Sequence, residues 1–196
     1  MSKKLMVVVL AVACCVGLTA CSKGPAEAAI KAADEALAGV KADASLYVPD
    51  QFQAVEASLA AAKESFEKGD YKQALAGAKD IAAQAKDLAA AAAAKKEELG
   101  KSWEEMSGGL PNMVSAIQSR VDILSKSRRL PSGLDKAAFE NAKASLDTVN
   151  QTWSEATSAF SGGNLMEAVT KATAVKEKAA EIMTALGMQV PEAAAK

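Results

Sequence analysis

Cys21 is the side chain in this sequence that is best placed to do chemistry, because a thiolate is a strong nucleophile. The chain has 3 cysteines, and Cys14 and Cys15 lie inside an apolar run that ends shortly before Cys21. If that run is removed, Cys21 is left as a single thiol, so a disulfide framework within the remaining chain is excluded. Three roles stay open for this thiol: a buried core residue, a reactive group, or the point at which the chain is cut and attached to a membrane.

The sequence contains no histidine, which removes the commonest transition-metal ligand and the usual proton shuttle at neutral pH. Acidic pairs such as Glu97 and Glu98 are adjacent in the chain. On a helix their side chains diverge and do not face each other as an acid and base couple would. We therefore expect no catalytic residue, no metal site and no cofactor. An envelope enzyme that uses scattered carboxylates is the alternative.

The residues before Cys21 have the pattern of a secretory signal. Lys3 and Lys4 provide a positive start, and Leu5 to Leu18 form an apolar stretch. That stretch is shorter than the ~20 residues that span a bilayer as a helix, and it fits the hydrophobic region of a signal peptide. An uncleaved N-terminal membrane helix with an incidental cysteine is the alternative interpretation.

The four residues LTAC, Leu18 to Cys21, resemble the lipobox of bacterial lipoprotein signal peptides, in which an aliphatic residue and two small residues precede an invariant cysteine. The resemblance implies a signal peptide over residues 1–20, cleavage between Ala20 and Cys21, and acyl chains such as palmitate on Cys21. Several acyl chains together make membrane anchoring effectively permanent. Ser22, in place of an aspartate, implies release to the outer membrane with the rest of the chain in the periplasm.

The composition favours long helices. Of the 196 residues, 50% are hydrophobic, much of this share is alanine, and only 4% are aromatic. Alanine is the best helix former and removes little apolar area from water. We therefore expect closely packed helices in place of a thick core of large side chains. The formal net charge of -1 gives no overall attraction to nucleic acid, and no nucleic-acid partner is expected.

Apolar residues recur at steps of three and four along most of the chain after Cys21, which predicts amphipathic helices. The second half of the chain repeats the first. A shift of 94 positions aligns Leu59 with Trp153 and the turn residue Gly69 with Gly163. Matching glycine turns are a more specific sign of duplication than matching apolar stripes.

We therefore predict an all-α fold, an elongated antiparallel helical bundle made of two duplicated three-helix units. Gly108 and Gly109, followed by Pro111, predict a break in the helix and a hinge between the units. The predicted organisation is a lipidated cysteine and tether at 21–25, a first unit at 26–107, a hinge at 108–110, a second unit at 111–187 and a flexible tail at 188–196.

The turn sequence GDYKQAL and its neighbours resemble the helical hairpins of tetratricopeptide-type repeats, and they also resemble alanine-rich hairpin domains of bacterial lipoproteins whose function is unassigned. The resemblance covers residues 49–94 and, less well, 131–186. The tetratricopeptide period of about 34 residues is absent, because these helices are too long. A groove that grips peptide termini, as in that family, is therefore not expected.

Two tryptophans are the largest side chains in the sequence. Trp153 takes the core position that Leu59 has in the first unit, which favours packing. Trp103 lies beside the apolar stripe and next to the predicted hinge, so packing at the hinge and contact with a partner are both open.

The sequence KSRR, which includes Arg128 and Arg129, is the dense basic patch of the chain. These cations could contact lipid phosphates or an anionic cell wall. Cations at the end of a helix also stabilise its C-terminal dipole and approach its unpaired carbonyls, so a purely structural role is the alternative.

Lys196 ends the sequence VPEAAAK. Its position resembles that of the terminal lysine of the murein lipoprotein, which also combines a lipobox with an elongated helix. In that protein the lysine is joined covalently to peptidoglycan. The resemblance implies wall attachment through Lys196, and a disordered tail is the alternative.

Together these features predict a lipid-anchored periplasmic helical protein that acts as a structural or protein-interaction module at the outer membrane. The expected partners are the membrane, through the acyl chains on Cys21, a protein or a second copy of the chain, and peptidoglycan through Lys196. The alternative is a carrier or chaperone that holds lipid or an apolar polypeptide between the two units.

Overall fold

The computed structural model describes the backbone of residues 2–191 and the side chains of residues 22–191. This part of the chain contains no strand and forms five helices: α1 (Ser2–Tyr47), α2 (Pro49–Glu67), α3 (Tyr71–Ser125), α4 (Lys136–Ser161) and α5 (Leu165–Ala185). The predicted all-α fold is therefore confirmed. Within residues 22–191, whose side chains the structure describes, no helix is both long enough and apolar enough to cross a membrane.

The chain forms two compact units, Met1–Lys95 and Lys96–Lys196, and the boundary between them lies inside α3. The first unit contains α1, α2 and the N-terminal part of α3. The second unit contains the rest of α3 together with α4 and α5. Each unit thus draws on three helical segments.

The core of the first unit combines four alanines with six larger side chains. Its buried positions follow steps of three and four along α2 and α3, as expected for amphipathic helices that pack face to face. Small side chains allow the helices to approach closely, and a Cβ atom placed on Gly77 of α3 would lie 3.4 Å from the Cβ atom of Ala62 on α2. The buried set is Ala33, Leu37, Ala44, Phe52, Val55, Leu59, Ala62, Ala78, Ile81 and Leu88.

The turns that end α2 and α4 have the same backbone structure. Gly69 and Gly163 have φ angles of 85° and 81°, a left-handed conformation that glycine adopts without steric cost. In both turns the residue after this glycine donates its N–H to a carbonyl five residues earlier, from Asp70 to Ser65 and from Asn164 to Ala159, each at 2.9 Å. This pairing closes the end of a helix. The turns predicted at Gly69 and Gly163 are confirmed.

The second unit has a core with larger side chains. It combines the C-terminal part of α3, which contributes Trp103, Leu110, Met113 and Ile117, with the inward faces of α4 and α5. A loop over residues 126–135 joins α3 to α4, and the side chain of Asp135 caps α4 by accepting the Ala138 N–H at 2.7 Å. Such a cap satisfies a backbone donor that the first helical turn leaves unpaired.

The predicted break and hinge at 108–110 are wrong. α3 continues through these residues to Ser125, and neither Gly108 nor Gly109 has the positive φ of the turn glycines. A glycine inside a helix costs about 1 kcal/mol relative to alanine. The two glycines and Pro111, which also lies inside α3, together cost about 5 kcal/mol. Burial of Leu110 and Met113 in the same stretch contributes a comparable amount, roughly 1.5–3 kcal/mol for each side chain. The helix is therefore kept.

The predicted tether and tail are also corrected. Residues 22–25 belong to α1, because the fixed φ of Pro25 suits a helix and the loss of one hydrogen bond does not end it. After α5 the chain turns at Gly187, and the side chains of Met188 and Val190 pack against the second core. Only residues 192–196 of the predicted tail lie outside the described part of the chain.

Candidate functional site

An apolar groove lies between α3 and α5 in the second unit. Its volume is about 550 Å³, within the range of protein pockets that hold ligands. We call it the methionine groove, because three methionines, Met106, Met113 and Met183, contribute to its walls. Its other lining residues are Glu105, Gly109, Leu110, Asn112, Ala116, Lys176 and Pro191.

Small residues on α3 keep the groove open. Gly109 and Ala116 lie two helical turns apart on its wall. A Cβ atom placed on Gly109 would meet no atom within 4 Å, so the missing side chain leaves space that no neighbour fills. The apolar stripe of α3 runs beside these residues, and the groove forms where large apolar side chains border small ones.

The methionines give the groove an adaptable surface. Met113 and Met183 are buried, and Met106 is partly buried. The Thr173 hydroxyl of α5 donates to the Val169 carbonyl at 2.9 Å, and its oxygen lies 3.8 Å from Met106 Sδ, a contact between α5 and α3. Methionine is unbranched and polarisable, so it can adjust its shape to different apolar partners.

Two charged side chains of opposite sign, Glu105 on α3 and Lys176 on α5, line the groove together with the amide of Asn112. The amide N–H of Asn112 donates to the Gly108 carbonyl at 3.4 Å, so it is held against its own helix. The lining therefore has no net charge, and its contacts suit an uncharged apolar surface better than an anion or a cation.

An aromatic stack packs α3 against α4 in the second unit. Trp153 and Phe160 lie two turns apart on α4, about 10.5 Å along the helix axis. The ring of Trp103 from α3 lies between them, with ring centroids 5.7 Å from Trp153 and 4.5 Å from Phe160. The planes are nearly parallel, at 14° and 12°. Such pairs add stability beyond the area that they bury.

The structure places the predicted site residues in different environments. Trp103 is only 8% exposed, and its ring packs between Trp153 and Phe160 of α4. Arg128 and Arg129 are exposed in the loop after α3. The side chains of Ala20 and Cys21, and all of Lys196, lie outside the described residues.

The described side chains include no group of three or more histidine, cysteine, aspartate or glutamate residues that could hold a metal ion. The groove was not predicted from the sequence, because Met106 and Met183 are 77 residues apart and only packing brings them together. The sequence contains one indication of the groove, because Gly109 lies directly beside the apolar stripe of α3. From the sequence, this glycine is interpreted as part of a helix break.

No family model, curated protein or solved structure matches this chain. Its function must therefore be argued from its own residues.

Proposed function

We propose that this protein is a lipid-anchored, non-enzymatic envelope protein, and that its second unit binds an apolar helical segment of a partner polypeptide in the methionine groove. Cys21 carries the acyl chains, and the chain faces the periplasm at the outer membrane. The observation that supports the binding function is the groove itself, which is open, apolar and about 550 Å³ in volume, with methionines in its walls.

The dimensions of the groove favour a helix as the occupant. Its α3 wall extends from Glu105 to Ala116, which is about 16 Å at 1.5 Å per residue. This is the length of three helical turns, so a bound helix could place side chains two turns apart, at i and i+7, against Met106 and Met113. Apolar faces of helices commonly bind in such grooves through residues at these spacings.

The sequence around Cys21 supports the anchor. Lys3 and Lys4, the apolar stretch and the LTAC motif occur in the order that a lipoprotein signal requires. Cleavage before Cys21 would also place Pro25 close to the new start of α1. The first helical turn has unpaired N–H groups in any case, so proline costs little there.

The anchor is tested by labelling cells with radioactive palmitate. The wild-type protein should incorporate the label and sediment with outer membranes. The Cys21→Ala variant should lose both properties, while Cys14→Ala, a change within the apolar stretch, should keep them. An unlabelled wild-type protein, or a Cys21→Ala variant that fractionates unchanged, would disprove lipid anchoring.

The groove is tested with a photo-crosslinking amino acid at position 112, inside the groove, in the full-length lipidated protein in cells. The matched control places the same amino acid at Ser115, an exposed residue of α3 that does not line the groove. We expect a polypeptide adduct from position 112 and none from position 115.

A blocking variant adds a second arm. Gly109→Leu fills the groove with a good helix former, whereas Gly108→Leu adds the same side chain outside it. The adduct should disappear in the first variant and persist in the second. A lipid adduct at position 112 without any polypeptide would favour a lipid carrier instead and would contradict this proposal.

A further inference from the structure

One exposed face of α3 continues the groove beyond its end. We call it the α3 face; it consists of Glu105, Gly109, Asn112, Ala116, Arg120 and Ile123, which recur at steps of three and four. These residues share one side of the helix. Ile123 is 60% exposed, an unusual environment for a large aliphatic side chain that has small residues beside it along the helix.

The α3 face is complementary to itself in charge and in size. A two-fold axis that passes between Asn112 and Met113, with the second helix antiparallel, places Glu105 opposite Arg120. The same axis places Gly109 opposite Ala116. An isologous pair of helices would therefore join opposite charges twice, with small residues between them that permit a close approach.

Arg120 carries the positive charge of this pairing. Its Nε atom is already buried within one copy and has no hydrogen-bond partner among the described residues, so a second copy does not reach it. Glu105 of a second copy would contact the outer Nη groups of the guanidinium, which donate to a carboxylate.

We propose that the occupant of the methionine groove is α3 of a second copy of this chain, bound antiparallel across the α3 face. This rests on the proposed function, in which the groove takes a helix, and it names that helix. The face that α3 offers has small residues, Gly109 and Ala116, on either side of Asn112 and one charged residue on each side of these. The two-fold places Ile123 of each copy opposite Ser102 of the other, one turn from Met106 at the end of the groove. The association covers the exposed Ile123 and pairs Glu105 with Arg120 at both ends.

The test is a charge exchange in the full-length lipidated protein, measured by sedimentation equilibrium in density-matched detergent. Glu105→Arg alone places two arginines opposite each other, and Arg120→Glu alone places two glutamates opposite each other. Each variant should dimerise at least about 10-fold more weakly than wild type. An equimolar mixture of the two variants restores both opposite-charge pairs, so its dimer should return to within about 3-fold of the wild-type affinity.

Glu104→Arg is the matched control, because Glu104 is exposed, adjacent in sequence and outside the α3 face. It changes the net charge by the same amount and should leave the dimer unchanged. Circular dichroism establishes that each variant keeps its helices. Equal dimerisation of Glu105→Arg and wild type, or a mixture of the two weakened variants that fails to recover, would overturn the proposal.

The photo-crosslink at position 112 separates this proposal from the proposed function. An adduct of twice the chain mass supports both. An adduct with a different polypeptide, from a protein that is monomeric in detergent, overturns the self-association and leaves the proposed function standing. The absence of any polypeptide adduct overturns both.

Discussion

The two units have the same turn but different side chains around it. At Gly69 and Gly163 the left-handed glycine and the hydrogen bonds that follow it are nearly identical. Beside the first turn, Phe66 meets Tyr71 edge to face at 5.1 Å. Beside the second turn, Phe160 stacks on Trp103 at 4.5 Å. A duplicated backbone was thus kept while the side chains around it diverged.

The divergence is mainly one of side-chain size. Trp153 replaces Leu59 at the shift of 94, and Met183 corresponds to Ala89 at the same shift. Upstream, a shift of 84 positions aligns Ile30 with Val114 and Ala33 with Ile117, and it places Met113 at the position of Ala29. The first unit packs alanines closely, and the second unit has large flexible side chains beside small ones. The comparison teaches that the methionine groove coincides with larger side chains at a few positions where the first unit has alanine.

The largest expected difference between the units concerns the aromatic stack. Trp103→Ala should lower the free energy of unfolding of the second unit by about 3–5 kcal/mol, the range for large aromatic side chains removed from cores. Phe66→Ala, in the half-buried pair of the first unit, should cost less than half as much. Urea unfolding followed by circular dichroism measures both. Equal losses in the free energy of unfolding would show that the stack stabilises the second unit no more than the Phe66 pair stabilises the first.

The turn glycines should behave alike in the two units. Gly69→Ala and Gly163→Ala each force a Cβ atom into a left-handed conformation and should each cost about 1–2 kcal/mol. Gly162→Ala is the control, because φ is -78° there, and the added atom meets carbonyl oxygens no closer than 3.4 Å. It should change stability by less than about 0.5 kcal/mol. Thermal unfolding of the three variants provides the measurement, and a neutral result at either turn would break the equivalence.

Gly108→Ala should stabilise the second unit by about 0.5–1 kcal/mol, because Gly108 is exposed within a continuous helix and has free space around its Cα atom. Denaturant midpoints measured on the variant and the wild type give this value. A loss of stability would indicate that the residue needs a non-helical conformation, which would restore the hinge.

The smallest effect concerns the ion pairs that link helices. Lys171 Nζ donates to Glu155 at 2.8 Å between α5 and α4. This hydrogen bond, with a further one from Gln151, lowers the pKa of Glu155, and the same pair raises the pKa of Lys171. Because the folded pKa of Glu155 lies below its unfolded value, the pair stabilises the fold above the unfolded pKa. The contribution is lost as the pH falls through the folded pKa.

Melting temperatures of wild type and Lys171→Met at pH 7 and pH 3 test this sign. The variant should melt slightly lower at pH 7, and the difference should shrink towards acid pH as the pH falls through the lowered folded pKa of Glu155. Lys63→Met removes the corresponding pair with Asp34 in the first unit, at 2.7 Å, and provides the comparison. A difference that grows towards acid pH would contradict the assignment. Both pairs are partly exposed, so high salt should reduce their effects.

The sequence predicted the helical class, the two glycine turns and most of the buried stripe, because each depends on interactions within a few residues. The helix break predicted at Gly108 and Gly109 is wrong, because the prediction gave the two glycines more weight than the apolar stripe. The structure shows the opposite outcome, since Leu110 and Met113 are buried at positions that only a continuous helix can provide.

The sequence alone therefore determined where helices begin and end at Gly69 and Gly163, because left-handed glycines and backbone hydrogen bonds act locally. Tertiary structure decided which side chains share a surface. Met106, Met113 and Met183 line one groove, and Trp103 lies between two rings of α4. Their convergence depends on how α3, α4 and α5 pack, and no local spacing in the chain records it.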